Sequence, residues 1–161
     1  MYRNGWLTLL FIVMMATGIF LAACATEQPS FPPESVAQWQ TNYEKINEVP
    51  LSKNEIFKNI IEWIENADNS VKFTISQQDK ESGKITGNGE SNIIDNTAQK
   101  IPFVFSFSIS IKENKYLIRY ENVLLAFGGG RWPIRNPSYI GLIHAKFKDL
   151  GEGLEGYLSR K

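Results

Sequence analysis

The strongest constraint on the fold is a run of alternating side chains near the middle of the sequence. Apolar residues occupy every second position from Ile101 to Ile111, and Ser106, Ser108 and Ser110 lie between them. Successive residues of a β-strand point to opposite faces, so this run predicts an antiparallel strand with one buried and one wet face. A buried face of this length requires a second layer to cover it.

Further strands are predicted around this one by the same period of two. They cover 71–76, about 84–94 and 116–125, with a shorter strand within Thr41 to Val49. Two interior glycines of the second long strand, Gly87 and Gly89, indicate a bulge or a close approach by another backbone. In the last strand we expect one face to carry Tyr116, Ile118, Tyr120 and Leu124, and the other to carry Leu117, Arg119, Glu121, Val123 and Leu125.

A helix is predicted to begin just after Ser52. Ser52 and Glu55 have the spacing of a capping box, and apolar residues then recur at helical spacing as far as Ile64. Trp63 lies at the edge of the apolar stripe, where packing is the expected role. A second, weaker helix is predicted after Pro137, broken by Gly151, Gly153 and Gly156.

This order of elements predicts a single α+β domain. It reads β-α-β-β-β-β-α, which corresponds to one curved antiparallel sheet with helices on one face. The length of 161 residues is sufficient for one such domain with its own core.

Several of these segments resemble a known family. They are the helix start Leu-Ser-Lys-Asn-Glu-Ile-Phe at 51–57, Trp63, the Asp-Lys-Glu-Ser-Gly turn at 79–83, and the Gly-x-Gly of the following strand. This pattern, over about Asn42 to Phe127, resembles the domain of unknown function with a TATA-binding-protein-like fold that is common in exported bacterial proteins. The resemblance implies the fold and an envelope setting, and it brings no established activity or site.

The N-terminus has the layout of an export signal. Arg3 is followed by an apolar run from Leu7 to Leu21 and then by Ala22, Ala23 and Cys24. The alternative is a transmembrane anchor, but a run of about 15 apolar residues is short against the roughly 20 that cross a bilayer. No basic cluster follows it. We therefore expect residues 1–23 to be a cleaved signal peptide.

Leu-Ala-Ala-Cys at 21–24 resembles the lipobox of bacterial lipoproteins. That resemblance implies a diacylglyceryl group on the sulfur of Cys24, cleavage before this residue and acylation of the new amine. Ala25 stands where lipoproteins of the inner membrane often carry Asp, so by the same resemblance we expect the outer membrane, with the chain facing the periplasm.

Residues 24–38 contain Pro29, Pro32 and Pro33. They are predicted to be a lipidated linker, either a spacer or a disordered lead-in, before a domain at 39–161.

The composition argues against several classes of function. The chain carries 17 basic and 17 acidic side chains, so it lacks the positive charge expected of a nucleic-acid-binding protein. It has one histidine, His144, and one cysteine, and no Gly-x-Ser-x-Gly. The glycines at 128–130 are not followed by the Lys-Ser/Thr of a phosphate loop. We expect no metal and no cofactor, and an enzyme is the less favoured class.

Two hypotheses of different classes remain. In the first, the polar face or an edge of the sheet binds an envelope protein or the cell wall, or simply meets water. This face comprises Lys72, Thr74, Ser76, Thr86, Asn88, Glu90, Ser106, Ser108, Ser110, Arg119 and Glu121. In the second, a small ligand occupies a pocket between sheet and helices near Tyr116, Tyr120, Arg131 and Trp132. Arg131 beside Trp132 could hold an anion, or the pair could cap the core.

Overall fold

The protein is described by a computed structural model over residues 42–67 and 70–161. The predicted signal peptide, Cys24 and the Pro-rich linker lie outside the described residues. They, and the division of the chain at residue 38, stay predictions.

Six strands and two helices make up the described part of the chain. In chain order they are β1 Tyr43–Glu48, α1 Lys53–Glu65, β2 Val71–Asp79, β3 Lys84–Ile94, β4 Lys100–Lys112, β5 Lys115–Phe127, β6 Gly130–Pro133 and α2 Pro137–Leu158. The strands form one antiparallel sheet in the order β1-β5-β4-β3-β2. This architecture confirms the predicted α+β class.

The short strand β6 adds to the predicted order of elements. Sequence analysis predicted 116–125 as the last strand, but β6 follows it, returns along β5 and pairs with it at 124–127. Gly128 and Gly129 both have positive φ, 54° and 78°, which a two-residue hairpin turn requires. The outer edge of β5 is therefore shared by β1, opposite 115–120, and β6.

Helix α1 begins with the predicted capping box. The Ser52 hydroxyl accepts from the backbone N–H of Glu55 at 3.4 Å, and the Glu55 carboxylate accepts from the N–H of Ser52 at 2.9 Å. The Ser52 hydroxyl also donates to Glu55 Oε2 at 2.6 Å, and this bond, together with the one from the Ser52 N–H, holds the pKa of Glu55 below its usual range. Trp63 packs against Phe73 with ring centroids 5.5 Å apart, as expected for a packing residue.

Helix α2 is continuous, so the predicted break at its glycines is wrong. It runs through Gly151, Gly153 and Gly156 to Leu158. A side chain at Gly151 would place its Cβ 3.3 Å from the Tyr43 hydroxyl, so the glycine allows the helix to lie close to β1. Burial of one apolar stripe outweighs the low helix propensity of the glycines. The stripe comprises Ile140, Ile143, Phe147, Leu154 and Leu158.

Both helices pack on the same face of the sheet. Phe147 of α2 contacts the rings of Phe105 and Tyr120, at 5.0 and 4.5 Å between centroids, while Trp63 of α1 lies on Phe73. The aromatic rings of β4 also fill the space above the two interior glycines of β3. A Cβ at Gly89 would overlap the ring of Phe105, and the rings therefore require a bare backbone there.

Strand β5 changes face at a bulge, which corrects the predicted alternation. Val104 pairs with Leu124 and Ser106 with Glu121, so Asn122 and Val123 together stand opposite one residue of β4. Asn122 has a positive φ of 54°, typical of the first residue of such a bulge. Beyond it Val123 and Leu125 are buried, and Leu124 turns to the other face.

Candidate functional site

The face of the sheet opposite the helices gathers all of the predicted polar side chains. We call it the open face. Direct cross-strand partners connect Lys72 with Glu90, Thr74 with Asn88, Thr86 with Ser108, and Ser106 with both Asn88 and Glu121. Residues directly opposite each other in a pleated pair point to the same side. The open face is therefore a continuous polar surface across β2 to β5.

Hydrogen bonds order the centre of the open face. The Ser106 hydroxyl donates to Oδ1 of Asn88 at 3.2 Å, and Nδ2 of Asn88 donates to the Ser76 hydroxyl at 3.5 Å. These residues border a shallow depression of about 260 Å³, which also involves Thr86 and Glu121. Small hydroxyl and amide groups held in rows can pair with the donors and acceptors of another macromolecule.

Arg119 lies on the open face and is paired with β1. Its Nε donates to Glu44 Oε2 at 2.6 Å, and this hydrogen bond raises the pKa of the guanidinium. The two side chains remain about half exposed, at 45% and 49%. Glu44 was missed by sequence analysis because nothing in the short β1 pattern indicates that it pairs with β5. The pair remains available to a partner.

Apolar side chains flank the polar centre of the open face on both sides. Val104 and Leu124, directly opposite each other, are half-buried toward one end. Toward the other end Leu117 stands opposite Ile46, which is 64% exposed. A polar centre with apolar margins has the mixed character of a protein-interaction surface.

The residues of the second predicted site lie in two separate places. Tyr116 and Tyr120 point to the helix side and are fully buried, and Phe147 stacks on Tyr120 where a ligand was expected. Arg131 and Trp132 are exposed on β6, where Trp132 stands opposite Leu125. The bulge therefore lies between the two tyrosines and the part of β5 that pairs with β6.

Burial of the two tyrosines also argues against a role in proton transfer. Desolvation raises the pKa of both hydroxyls, most strongly that of Tyr120. The Tyr120 hydroxyl has no hydrogen-bond partner among the described residues. A buried phenol of this kind stays protonated throughout the physiological range.

Two further properties concern the described residues as a whole. No group of three or more His, Cys, Asp or Glu side chains within 42–67 and 70–161 is placed to hold a metal ion. Over the same residues, neither helix has the length together with the apolar composition required to cross a bilayer.

The fold defines a class: an α+β domain with one antiparallel sheet, helices on one face and an exposed polar face. Within that class, the chain belongs to the family called domain of unknown function (DUF4468) with TBP-like fold, whose model matches residues 43–124. No curated protein matches the sequence.

Solved structures similar to this chain include one from Parabacteroides distasonis and one from Bacteroides ovatus. A TBP-like protein from Parabacteroides distasonis has a TM-score of 0.60 at 14% identity, over 73% of this chain and 91% of that one. A DUF4468 family protein from Bacteroides ovatus has a TM-score of 0.48 at 14% identity, over 73% of this chain and 83% of that one. At such identity the first likeness establishes the fold alone.

Proposed function

We propose that this chain is a lipid-anchored protein of the bacterial envelope that binds another envelope protein through its open face and catalyses no reaction. The observation that carries the binding role is the polar face, which no helix or strand within 42–67 and 70–161 covers. Its side chains are ordered by hydrogen bonds such as Ser106 to Asn88 and Arg119 to Glu44, while both helices cover the opposite face.

Support for the anchor comes from the sequence. Leu21 to Cys24 match a lipobox at the end of an apolar export segment, and the acyl chains implied there exceed the two signals that stable anchoring requires. Outer-membrane sorting, with the domain in the periplasm, is the part of the proposal that depends on Ala25.

The open face is a better binding surface than the sheet edges. Edge strands accept a further strand readily when they are long, flat and free of charge. Strand β2 is interrupted by a bulge between Ile75 and Gln77, and the short β1 directs Lys45 toward the helices, where it meets Glu155 at 2.8 Å. A bulge and an inward charge are the devices by which edges resist pairing.

The ligand-carrier alternative has less support. It requires space between sheet and helices at Tyr116 and Tyr120, and Phe147 fills that space. The residues that were expected to recognise the ligand lie on opposite sides of the bulge in β5. A binding module therefore accounts better for the arrangement of side chains.

The binding role is tested by photo-crosslinking in intact cells. A photoreactive amino acid at Ser108 or Asn88 samples the open face, and the same amino acid at Lys58, exposed on α1, is the matched control. We expect one reproducible protein adduct from the open-face positions and none of the same mass from Lys58. Equal adducts from all three positions, or none from the open face, would contradict the proposal.

The anchor is tested separately by labelling cells with a fatty acid and fractionating them. We expect label on the native chain and its loss, together with retention of the uncut precursor, in Cys24→Ser. Mass spectrometry of the native protein that shows residues 1–23 still attached would overturn the anchor while leaving the binding role open.

A further inference from the structure

Exposed apolar side chains are concentrated at one end of the sheet. Among the described residues five large apolar side chains are exposed, and four lie at this end: Ile94 at 58%, Phe127 at 37%, Trp132 at 58% and Leu142 at 37%. Single exposed apolar side chains are ordinary, but a group of them marks a surface that meets another phase or molecule.

The strand register places these side chains at one level. Ile93 pairs with Ile101 and Phe103 pairs with Leu125, so β3 and β5 both finish beside the start of β4. Their last residues are Ile94 and Phe127. The two turns that follow these strands therefore lie side by side, and we call this region, with β6 and the start of α2, the hairpin end.

The four exposed apolar side chains of the hairpin end form two pairs, and the members of each pair are neighbours. Trp132 stands opposite Leu125, so it is the diagonal neighbour of Phe127 on the same face of the hairpin. Ile94 and Leu142 line one cleft of about 650 Å³ between the β3–β4 turn and the first turns of α2.

The β5–β6 hairpin presents its aromatic side chains on a defined backbone. Gly128 and Gly129 both have positive φ and form the turn. The indole of Trp132 lies against the next glycine: a Cβ at Gly130 would stand 2.9 Å from its Nε1. The ring is thus held against the strand and remains exposed.

Exposed basic side chains lie at the same end of the sheet, with Arg131 on the opposite face of the β5–β6 hairpin from Trp132 and Phe127. Lys100, Arg131 and Arg135 are exposed at or beside the hairpin end, and none of them forms an ion pair with a described residue. The carboxylate of Asp95 is engaged in its own turn, accepting from Thr97 and Gln99. Aromatic rings beside unpaired cations are the composition found at the interface of anionic bilayers.

The first strand of the domain starts toward the same end. β1 runs antiparallel to β5, from Tyr43, opposite Tyr120, to Glu48, opposite Lys115, so its first residue is the one nearest the end at which β5 finishes. Residues 25–42 separate the domain from Cys24 and span at most about 60 Å when fully extended. A tether of that reach does not by itself fix the orientation of a domain on a membrane.

We propose that the hairpin end lies on the surface of an anionic bilayer, with Trp132 and Phe127 at the level of the headgroups and Arg131, Arg135 and Lys100 on the phosphates. This inference rests on the proposed lipid anchor. The contact is a weak second signal, which acts because the anchor keeps the domain close to the surface. It orients the domain with one end of the sheet on the membrane. The open face then does not lie against the lipid and remains accessible to a partner.

The test uses the lipidated mature protein in vesicles of phosphatidylethanolamine and phosphatidylglycerol that contain a brominated lipid, which quenches nearby tryptophans. Replacement of Trp39 by Phe leaves Trp63 and Trp132, and the further change Trp132→Phe isolates the contribution of Trp132. The matched control carries Lys80→Trp in the Trp39→Phe, Trp132→Phe background, because Lys80 is exposed in the β2–β3 turn at the opposite end of the sheet.

We expect Trp132 to be quenched at least roughly twofold more than the tryptophan at position 80, since interfacial tryptophans lie at headgroup depth. The difference should fall in Arg131→Glu, Arg135→Glu and at high salt. Equal quenching in protein that co-sediments with the vesicles would overturn this inference and leave the anchor standing. Protein that stays in the supernatant would instead overturn the anchor. Self-association that is lost in Trp132→Ser, with no lipid quenching, would assign the hairpin end to a second copy and so also contradict the proposal.

Discussion

The ring of Phe147 in α2 is stacked on the ring of Tyr120 in β5, with centroids 4.5 Å apart and an interplanar angle of 21°. Phe147 also meets the edge of Phe105 at 5.0 Å, so one side chain of the helix fills the centre of the space above the sheet. This contact joins the last helix to the two longest strands.

Truncation of Phe147 should therefore be costly. Because both Phe147 and its partners are buried, we expect Phe147→Ala to lower the free energy of unfolding by about 3–5 kcal/mol. Urea denaturation followed by circular dichroism measures this. Leu142→Ala, at an exposed position of the same helix, should change it by only about 0.5 kcal/mol. Similar losses for the two variants would contradict the packing described here.

The hydroxyl of Tyr120 offers a change in the opposite direction. It is buried without a hydrogen-bond partner among the described residues, and an unpaired buried polar group costs about 1–3 kcal/mol. We expect Tyr120→Phe to leave the free energy of unfolding unchanged or to raise it, because the stacked ring is retained. A loss of more than about 1 kcal/mol in urea denaturation would instead indicate a favourable interaction of the hydroxyl.

Much of the architecture follows from local patterns in the sequence. The alternation from Ile101 to Ile111 determines the face of β4, and the capping box at Ser52 determines the start of α1. Such features depend on residues close together in the chain, so a single sequence displays them. The polar residues of the open face were predicted for the same reason.

The parts that sequence analysis missed depend on contacts between distant residues. The glycines of α2 are tolerated because Gly151 meets Tyr43, far away in sequence. The pairing of Arg119 with Glu44 requires knowledge that β1 lies beside β5. The bulge at Asn122 has only a weak local signal in the sequence, an asparagine between Glu121 and Val123. It inverts the faces of the last residues of β5 relative to the prediction.

The bulge predicts a specific preference at Asn122. Its φ of 54° is accessible to asparagine and glycine but costs other residues about 1–2 kcal/mol. We therefore expect Asn122→Ala to lower the free energy of unfolding by roughly that amount, and Asn122→Gly to be close to neutral. Asn92→Ala, at an exposed position of β3 with ordinary extended backbone, serves as the control. Equal effects of Ala and Gly at 122 would argue against the positive φ.

The interior glycines of β3 lead to a prediction about overpacking. A Cβ at Gly89 would overlap the ring of Phe105, which is buried and has little room to move. We expect Gly89→Ala to lower the free energy of unfolding by about 1–3 kcal/mol, although alanine favours a strand more than glycine does. In urea denaturation, the double variant Gly89→Ala, Phe105→Leu should lose less unfolding free energy in total than the sum of the losses in the two single variants. Strict additivity would contradict the overlap.

The β3–β4 turn, which is part of the hairpin end, should make stability depend on pH. Hydrogen bonds from the Thr97 hydroxyl and from the backbone N–H groups of Gln99 and Thr97 hold the pKa of Asp95 below its usual range. A carboxylate whose pKa is lower in the folded state stabilises the fold above its unfolded pKa of about 3.9, and this contribution is lost as the pH falls through the lower folded value. The difference in unfolding free energy between the native chain and Asp95→Ala should thus be constant near neutral pH and shrink below about pH 4.

Urea denaturation at a series of pH values tests this, with Glu90→Ala, an exposed carboxylate outside the turn, as the control for general charge effects. A difference that stays constant down to about pH 2 would show that Asp95 acts through its shape and not through its charge.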